Sequence, residues 1–200
     1  MSRARNNPYA RPDHFTRAAK QAGFPARSVF KLEEIDRRTR LLRAGMRVLD
    51  LGAAPGSWAM YAAQKIGPSG RLLAVDLEPL AVALPEQAAF FIGDALSLTN
   101  EDLARFAPYD VVLSDMAPRT TGNRVTDQAR SFELFMRALA VAATLGAPRG
   151  AFVGKIFMSD DLPTARAEVR RLYETERLLR PEGTRAVSTE IFVVGAGKRA

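Results

Sequence analysis

The stretch VLDLGAAPGSW, residues 48–58, decides the fold of this chain of 200 residues. Its apolar start predicts a buried strand, which runs into small residues and then into a helix. Gly52 and Gly56 have no Cβ atom, so a ligand can pass close to the backbone there. The G-x-x-x-G spacing with a proline matches neither the dinucleotide-binding fingerprint nor the phosphate-binding P-loop, which weakens any NAD or ATP hypothesis.

Beyond this stretch, short apolar runs alternate with amphipathic segments. Helices are predicted at residues 57–67, 127–146 and 160–174. The predicted strands are MRVLDL (46–51), RLLAVDL (71–77), AAFFIGD (88–94), YDVVLSD (109–115), GAFVGKIF (150–157) and AVSTEIFVVGAG (186–197). The alternation predicts a doubly wound α/β domain, with a mainly parallel central sheet and helices on both faces.

Three consecutive predicted strands end in a carboxylate, at Asp76, Asp94 and Asp115. In doubly wound sheets, ligands bind at the carboxyl ends of the strands. Asp76 follows Gly52 by 24 residues, which is where a carboxylate accepts hydrogen bonds from the ribose hydroxyls of a nucleoside. Exposed turns alone do not account for an acid at the end of each of three consecutive strands. The sequence therefore predicts that this edge of the sheet binds a nucleoside.

The basic charge is concentrated at the N-terminal end of the chain. The sequence has 29 Lys and Arg against 22 Asp and Glu, a net charge of +7. Residues 1–47 hold twelve basic and four acidic residues, so the remainder is almost neutral. We expect a basic, flexible arm at 1–12 and a single domain over 13–200 that begins with basic amphipathic helices within 13–44. The excess charge favours a polyanionic partner, either a nucleic acid or an acidic membrane surface.

The composition disfavours several other classes of protein. The chain has no cysteine and one histidine, His14, which argues against a disulfide framework, a thiolate nucleophile and a His-clustered metal site. The N-terminal end has no apolar targeting core, and no apolar run is long enough to span a membrane. The N-terminal helices also lack the aromatic-rich apolar face of an interfacial helix. We therefore expect a metal-free, cytoplasmic protein without a membrane partner.

The motifs taken together resemble one family. DLGAAPGSW (50–58), DL (76–77), GD (93–94) and SDMAP (114–118) closely resemble the FtsJ/RrmJ-type S-adenosylmethionine-dependent methyltransferases, over about residues 13–198. The resemblance implies a Rossmann-like class I methyltransferase fold with S-adenosylmethionine as cofactor. Gly56 and Trp58 would contact its methionine end, Asp76 its ribose and Asp94 its adenine. The implied cofactor-binding residues are Gly52, Gly56, Trp58, Asp76, Asp94 and Asp115. Ser57 departs from the family, which commonly has a second glycine there.

Two charged residues lie inside apolar predicted strands, Lys155 in GAFVGKIF and Glu190 in STEIFVV. A buried charge needs a partner, and from the strands alone the two residues could simply pair with each other or lie at a sheet edge. The family that the chain resembles has a Lys-Asp-Lys-Glu tetrad for ribose 2′-O-methylation, which Lys31, Asp115, Lys155 and Glu190 match. By this resemblance Lys155 engages the 2′-hydroxyl, as a neutral base or as a cation that stabilises the alkoxide. Asp115 and Glu190 would position Lys155, and Lys31 would help to hold the substrate ribose and phosphate.

The resemblance also suggests a substrate. The compact chain is most similar to bacterial enzymes that modify a uridine of 23S ribosomal RNA, within the large ribosomal subunit, and we expect a monomer. The alternatives are ribose methylation of tRNA, and an RNA-binding ribosome assembly factor with a secondary catalytic role. Methylation of a base amine is disfavoured, because Arg119 follows Pro118 where an aromatic residue would stack on a flipped base.

The segment after Asp115 is polar. Residues 119–130 include Gly122 and Asn123 at their centre and Asp127 near their end. We predict that this segment is a mobile loop that becomes ordered when RNA binds.

Overall fold

A central sheet organises the structure, a computed structural model that describes residues 14–185 and 187–200. The predicted arm at residues 1–12 therefore lies outside the described residues. The helices are α1 (His14–Gln21), α2 (Val29–Thr39), α3 (Ser57–Ile66), α4 (Arg124–Leu145) and α5 (Leu162–Leu172). The strands are β1 (Arg47–Leu51), β2 (Arg71–Asp76), β3 (Ala88–Ile92), β4 (Tyr109–Ser114), β5 (Gly146–Phe157), β6 (Tyr173–Leu179) and β7 (Glu190–Lys198).

The strands lie in the order β3-β2-β1-β4-β5-β7-β6. Pairing is parallel from β3 through β5, whereas β7 is antiparallel to both β5 and β6. The chain winds outward from β1 to β3 and then returns to place β4 on the other side of β1. Such a reversal opens a crevice at the carboxyl ends of β1 and β4, where doubly wound sheets bind their ligands. The predicted mainly parallel α/β sheet is confirmed.

Each face of the sheet carries its own apolar core. On one face, Leu49 and Leu51 of β1 pack with α4 and α5, through residues such as Phe135 and Val169. On the other face, Val48 packs with α2 and α3. Successive side chains of β1 thus point to opposite faces, as expected for a strand buried on both sides. Both faces are covered by helices, as the sequence pattern predicts.

The basic N-terminal helices pack on the second of these faces. Leu32 and Ile35 of α2 are fully buried in the cluster that contains Trp58 and Ala62 of α3. This burial fixes α2 on the body, so the residues at its N-terminal end keep a defined position. No helix in the described part of the chain has the length and apolar character needed to cross a membrane.

The structure corrects several predicted boundaries at the C-terminal half of the sheet. The helix predicted at 160–174 ends at Leu172, and the unpredicted strand β6 follows it. β6 is an edge strand in which polar residues such as Glu174, Thr175 and Arg177 are exposed, so it lacks the apolar run that marks a buried strand. β5 starts earlier than expected, at Gly146, and β7 starts later, at Glu190.

Candidate active site

A cavity of about 470 Å³ opens at the carboxyl ends of the parallel strands. The predicted residues that line it are Gly52, Asp76, Asp94, Asp115 and Lys155. They follow the strand order, because Asp94 comes after β3, Asp76 ends β2, Gly52 follows β1 and Asp115 follows β4. These four residues form a row along the edge of the sheet. Because neighbouring strands lie about 4.8 Å apart, the row from Asp94 to Asp115 extends for about 14 Å. The cavity therefore suits an elongated ligand with separate polar groups.

Asp76 and Asp94 are held in place by backbone N–H groups. One oxygen of Asp76 accepts a hydrogen bond from the Ala54 amide at 2.8 Å, and the other accepts from the Glu78 amide at 2.9 Å. Asp94 accepts from the Leu96 amide at 2.9 Å. Each carboxylate oxygen has a second lone pair, so both side chains remain able to accept hydrogen bonds from a ligand.

The two glycines of the turn after β1 are required for different reasons. A Cβ atom on Gly52 would lie 2.7 Å from the Met116 backbone nitrogen, so only glycine allows β1 and the segment after β4 to approach this closely. Gly52 and Gly56 also have positive φ values, of 80° and 114°, which favour glycine. Gly56 lies outside the residues that line the cavity, so its contribution is the shape of the turn.

Trp58 does not line the cavity, in contrast to the contact that the family resemblance implies. Its side chain is 2% exposed and packs against Phe192, with ring centroids 5.7 Å apart. The indole N–H donates to the Ser28 carbonyl oxygen at 2.9 Å. Trp58 thus anchors the residue that precedes α2, rather than offering its ring to a ligand in this cavity.

Ser57 anchors the same segment two residues earlier. Its hydroxyl accepts a hydrogen bond from the Ala26 amide at 2.8 Å and lies 3.0 Å from the Ala26 carbonyl oxygen, to which it donates. A glycine at this position would make neither bond. The departure from the family pattern therefore adds a second attachment between the start of α3 and the segment that leads into α2.

A second cavity, of about 320 Å³, lies beside the first. Both cavities are lined by Ser28, Ala117 and Lys155. The second is also lined by Lys31 from α2 and Glu190 from β7, together with residues of the β6–β7 connection. Lys155 therefore stands where the two cavities meet, with access to a ligand in either one.

The four residues of the predicted tetrad form two ion pairs. The Nζ atom of Lys155 lies 2.9 Å from Oδ1 of Asp115 and donates to the Asp115 carbonyl oxygen. Lys31 pairs with Glu190. Lys155 is 6% exposed and Glu190 is 9% exposed, so both charges are largely removed from water. The structure thus brings all four residues to the wall of the second cavity or next to it.

Strand pairing places Lys155 and Glu190 on the same face of the sheet. In the antiparallel pair of β5 and β7, Lys155 is opposite Phe192 and Phe157 is opposite Glu190. Side chains two residues apart on a strand share a face, so Lys155 and Glu190 project from the same side of the sheet. Lys155 nevertheless pairs with Asp115, and Glu190 pairs with Lys31, so the direct Lys155–Glu190 pairing considered from the strands is wrong.

Asp50 is a buried acid whose environment the sequence analysis did not single out. It is fully buried, and neither carboxylate oxygen has a hydrogen-bond partner among the described residues. Burial raises the pKa of Asp50 well above its usual range, and the nearby carboxylates of Asp115 and Asp76 raise it further. These effects favour the neutral acid. The signal in the sequence was an acid inside an apolar run, as for Lys155 and Glu190.

The segment after Asp115 is shorter than predicted, because α4 begins at Arg124. The Asn123 side chain caps this helix by accepting a hydrogen bond from the Thr126 amide at 3.2 Å. Oδ1 of Asp127 accepts from the Thr121 amide at 2.8 Å and the Thr121 hydroxyl at 2.9 Å, and these bonds help to lower its pKa. The prediction of a loop is therefore wrong for residues 124–130, and the mobility of residues 119–123 stays a prediction.

Among the described residues, no group of three or more His, Asp or Glu side chains is arranged to hold a metal ion. The carboxylates that line the two cavities are those of Asp76, Glu78, Asp94, Asp115 and Glu190.

Replacement of Asp50 by asparagine tests the neutral state of its carboxyl group. The pKa of Asp50 is raised by folding from an unfolded value of about 3.9, so the cost of keeping its proton grows by about 1.4 kcal/mol per pH unit until the folded pKa is passed. Asparagine has no such cost. We expect the free energy of unfolding of Asp50→Asn, relative to the native chain, to increase by about 1 kcal/mol or more between pH 5 and pH 8 in urea titrations.

The control for this experiment is Asp160→Asn, which removes a carboxyl group from an exposed position. If the free energies of unfolding of Asp50→Asn and the native chain differ by the same amount at pH 5 and pH 8, Asp50 is ionised in the folded protein, which contradicts the neutral state.

Comparison with known proteins agrees with this geometry. The model of the FtsJ-like methyltransferase family matches residues 24–198. The chain is 68% identical, over its whole length and 94% of the relative's, to "Ribosomal RNA large subunit methyltransferase E" of Sorangium cellulosum. It is 48% identical to the protein of the same name from Bdellovibrio bacteriovorus, over 94% of this chain and 97% of the relative.

A solved structure shares the fold. The structure described as a ribosomal RNA methyltransferase of Plasmodium falciparum superposes with a TM-score of 0.75 at 18% identity, covering 88% of this chain and 98% of that one. At this identity the likeness concerns the fold alone. The family match over residues 24–198 and the identity to curated relatives over nearly their full length lead to one conclusion: the chain is an enzyme of the FtsJ-like methyltransferase family.

Proposed function

We propose that this enzyme transfers a methyl group from S-adenosylmethionine to the 2′-hydroxyl of a uridine ribose in 23S ribosomal RNA, within the large ribosomal subunit. The observation that carries the proposal is the position of Lys155, at the wall shared by two cavities and paired with Asp115. The names of the relatives, which refer to the RNA of the large subunit, support the choice of RNA.

The residues of the first cavity fit S-adenosylmethionine. The volume falls within the range of about 300–1,000 Å³ that is usual for small-molecule sites. Asp76 would accept hydrogen bonds from the ribose hydroxyls, and Asp94 would lie at the adenine end of the row. Gly52 and Asp115, at the other end, would border the methionine part. When bound, the cofactor supplies a methyl group that its sulfonium already activates.

The task left to the protein is to align a ribose hydroxyl and to manage its proton. The Nζ atom of Lys155 would contact the 2′-oxygen from the second cavity. It either accepts the hydroxyl proton or stabilises the negative charge that develops on the oxygen, and both roles need the same placement. Asp115 fixes that placement from the adjacent strand, through the 2.9 Å contact with Nζ.

Lys31 and Glu190 would complete the substrate side of the site. Their ion pair joins α2 to β7 across the second cavity. A pair of opposite charges offers both donors and an acceptor to the hydroxyls of a sugar. We assign these two residues to the orientation of the ribose, with Lys155 closest to the reaction.

A base amine is a less suitable acceptor of the methyl group. The position where an aromatic residue would stack on a flipped base is held by Arg119. Its guanidinium lies 3.0 Å from Glu78, and both side chains are exposed. The tetrad, by contrast, offers acid–base groups suited to a hydroxyl. Two alternatives would use the same cavities: methyl transfer to tRNA, and a role in ribosome assembly with little catalysis. The RNA that becomes labelled distinguishes both from the proposed function.

The proposal extends to the setting of the reaction. An enzyme that modifies ribosomal RNA acts where ribosomes are assembled, so we assign it to the cytoplasm. We also propose that it acts as a monomer, since one chain contributes every residue assigned to both cavities.

Replacement of Lys155 by alanine tests the catalytic assignment. The substrate is the large ribosomal subunit isolated from cells that lack the enzyme. We expect the rate of transfer of labelled methyl groups to these subunits to fall by about 10²–10⁴-fold. The Kd for S-adenosylmethionine, measured by calorimetry, should change by less than about threefold, because Asp76 and Asp94 remain. Lys65→Ala, on an exposed part of α3, serves as the control. Near-normal transfer by Lys155→Ala would refute the assignment.

Replacement of Ser57 by alanine tests whether the start of α3 positions the substrate side of the site. Loss of two hydrogen bonds to Ala26 should lower the free energy of unfolding by about 1–2 kcal/mol. We expect the KM for large subunits to rise by about three- to tenfold, with little change in cofactor Kd, because the segment before α2 is less firmly held. The exposed Ser69→Ala is the control. A change in cofactor Kd with an unaltered KM would contradict this role.

A further inference from the structure

A third cavity lies apart from the two that the proposed function uses. It has a volume of about 170 Å³, and an arginine cluster lines it, formed by Arg38 and Arg40 at the C-terminal end of α2 and Arg177 of β6. The other described residues of its wall are Thr39, Thr175, Val194 and Ala196, none of which is acidic. The proposed reaction uses none of these side chains, so it does not account for the arginine cluster.

Folding brings the arginine cluster together from two distant parts of the chain. β6 pairs with β7, and Arg177 is opposite Val194. Residues that are directly opposite in an antiparallel pair project from the same face of the sheet. Val194 belongs to the apolar core that also contains Leu32 of α2. Arg177 therefore projects from the face that α2 covers, where the end of this helix presents Arg38 and Arg40.

Most of the positive charge of the arginine cluster is available to a ligand. Arg38 forms an ion pair with Glu34, 2.7 Å away and one helical turn earlier. Arg40 and Arg177 are exposed, and in the described part of the chain they form no ion pair and donate no side-chain hydrogen bond. Glu176, the acid next to Arg177, pairs with arginines of α5 on the opposite face of the sheet. The cluster therefore presents a net positive charge to the solvent.

Both α2 and β7 lead from the second cavity to the arginine cluster. Lys31 and Glu190 line the second cavity. Thr39 follows Lys31 by eight residues along α2, which corresponds to about 12 Å at the helical rise per residue. Val194 follows Glu190 by four residues along β7, which corresponds to about 14 Å at the rise of a strand. Two separate elements thus place the cluster about 12–14 Å from the cavity assigned to the ribose.

We propose that Arg40 and Arg177, with Arg38 beside them, bind a backbone phosphate of the RNA a few nucleotides from the methylated ribose. This inference rests on the proposed function, because it takes the second cavity as the site of that ribose. A guanidinium group can donate two parallel hydrogen bonds to phosphate oxygens, and each nucleotide of an RNA strand contributes a phosphate. Among the described residues of the cavity wall none is aromatic, so the cavity offers no ring on which a base could stack.

A contact of this kind positions the RNA without reading its sequence. Phosphate contacts fix the register and orientation of a nucleic acid, whereas contacts to the bases specify its sequence. A phosphate at the arginine cluster and a ribose at Lys155 hold the strand at two separate points. The basic charge at the end of α2 thus contributes to substrate binding at a distance from the reaction.

Arg177→Gln tests the site, because it removes the charge and keeps a polar side chain of similar length. The probe is the large ribosomal subunit from cells that lack the enzyme, and its Kd is measured by filter binding without cofactor over a series of KCl concentrations. We expect the Kd to rise by about five- to tenfold, and the slope of log Kd against log[KCl] to decrease by about 0.7–0.9, the loss of one phosphate contact. The kcat at saturating subunits should change by less than about twofold.

Arg40→Gly is a second test, and it separates binding from stability. Arg40 has a φ of 54°, a backbone conformation that favours glycine, so this change should not lower the thermal unfolding midpoint. We expect it to raise the Kd for subunits and to decrease the slope as Arg177→Gln does. A loss of affinity in a variant of undiminished stability cannot result from unfolding.

Arg149→Gln and Arg149→Gly are the matched controls. Arg149 is exposed, has a φ of 63° and lies near the start of β5, six residues before Lys155. Both controls should keep the slope of the unaltered enzyme and a Kd within about twofold of its value. The proposal is overturned if Arg177→Gln has the Kd and slope of Arg149→Gln, or if its Kd rises with an unchanged slope. Because binding is measured without methyl transfer, failure of the proposed function would be seen separately, as absence of ribose methylation by the unaltered enzyme.

Discussion

The ion pair between Lys155 and Asp115 is the interaction on which the rest of the site depends. A lysine that is 6% exposed needs a carboxylate beside it, and removal of one partner from a buried pair costs about 3–5 kcal/mol. The parallel register of β4 and β5 places Ser114 opposite Gly154, so the next residue on each side, Asp115 and Lys155, become neighbours. The sheet edge to which we assign the cofactor thus also supplies the pair to which we assign the reaction.

The second requirement of the proposed reaction is that the cofactor and the RNA meet at this pair. The first cavity belongs to the sheet, whereas the second needs α2 and the β6–β7 connection. The turn after β1 joins the two, because the α3 residues that follow it, Ser57 and Trp58, attach the segment that leads into α2. The same stretch of sequence that shapes the first cavity therefore also places Lys31 at the second.

The sequence was sufficient for the parallel part of the sheet and for the strand-end carboxylates, since these produce apolar runs that end in a charge, whereas the tetrad was identified through the family resemblance. It did not reveal β6, whose exposed edge lacks such a pattern, nor the anchoring role of Trp58, which depends on a contact with Ser28 30 residues away. The pairing of Lys31 with Glu190 likewise joins distant segments.

The most direct test identifies the atom that receives the methyl group. Large ribosomal subunits from cells that lack the enzyme would be incubated with the purified protein and labelled S-adenosylmethionine, and the RNA digested to nucleosides for chromatography and mass spectrometry. A site built around Lys155 and Asp115 predicts label in 2′-O-methyluridine from 23S RNA. Label on a base, or none in 23S RNA, would contradict it.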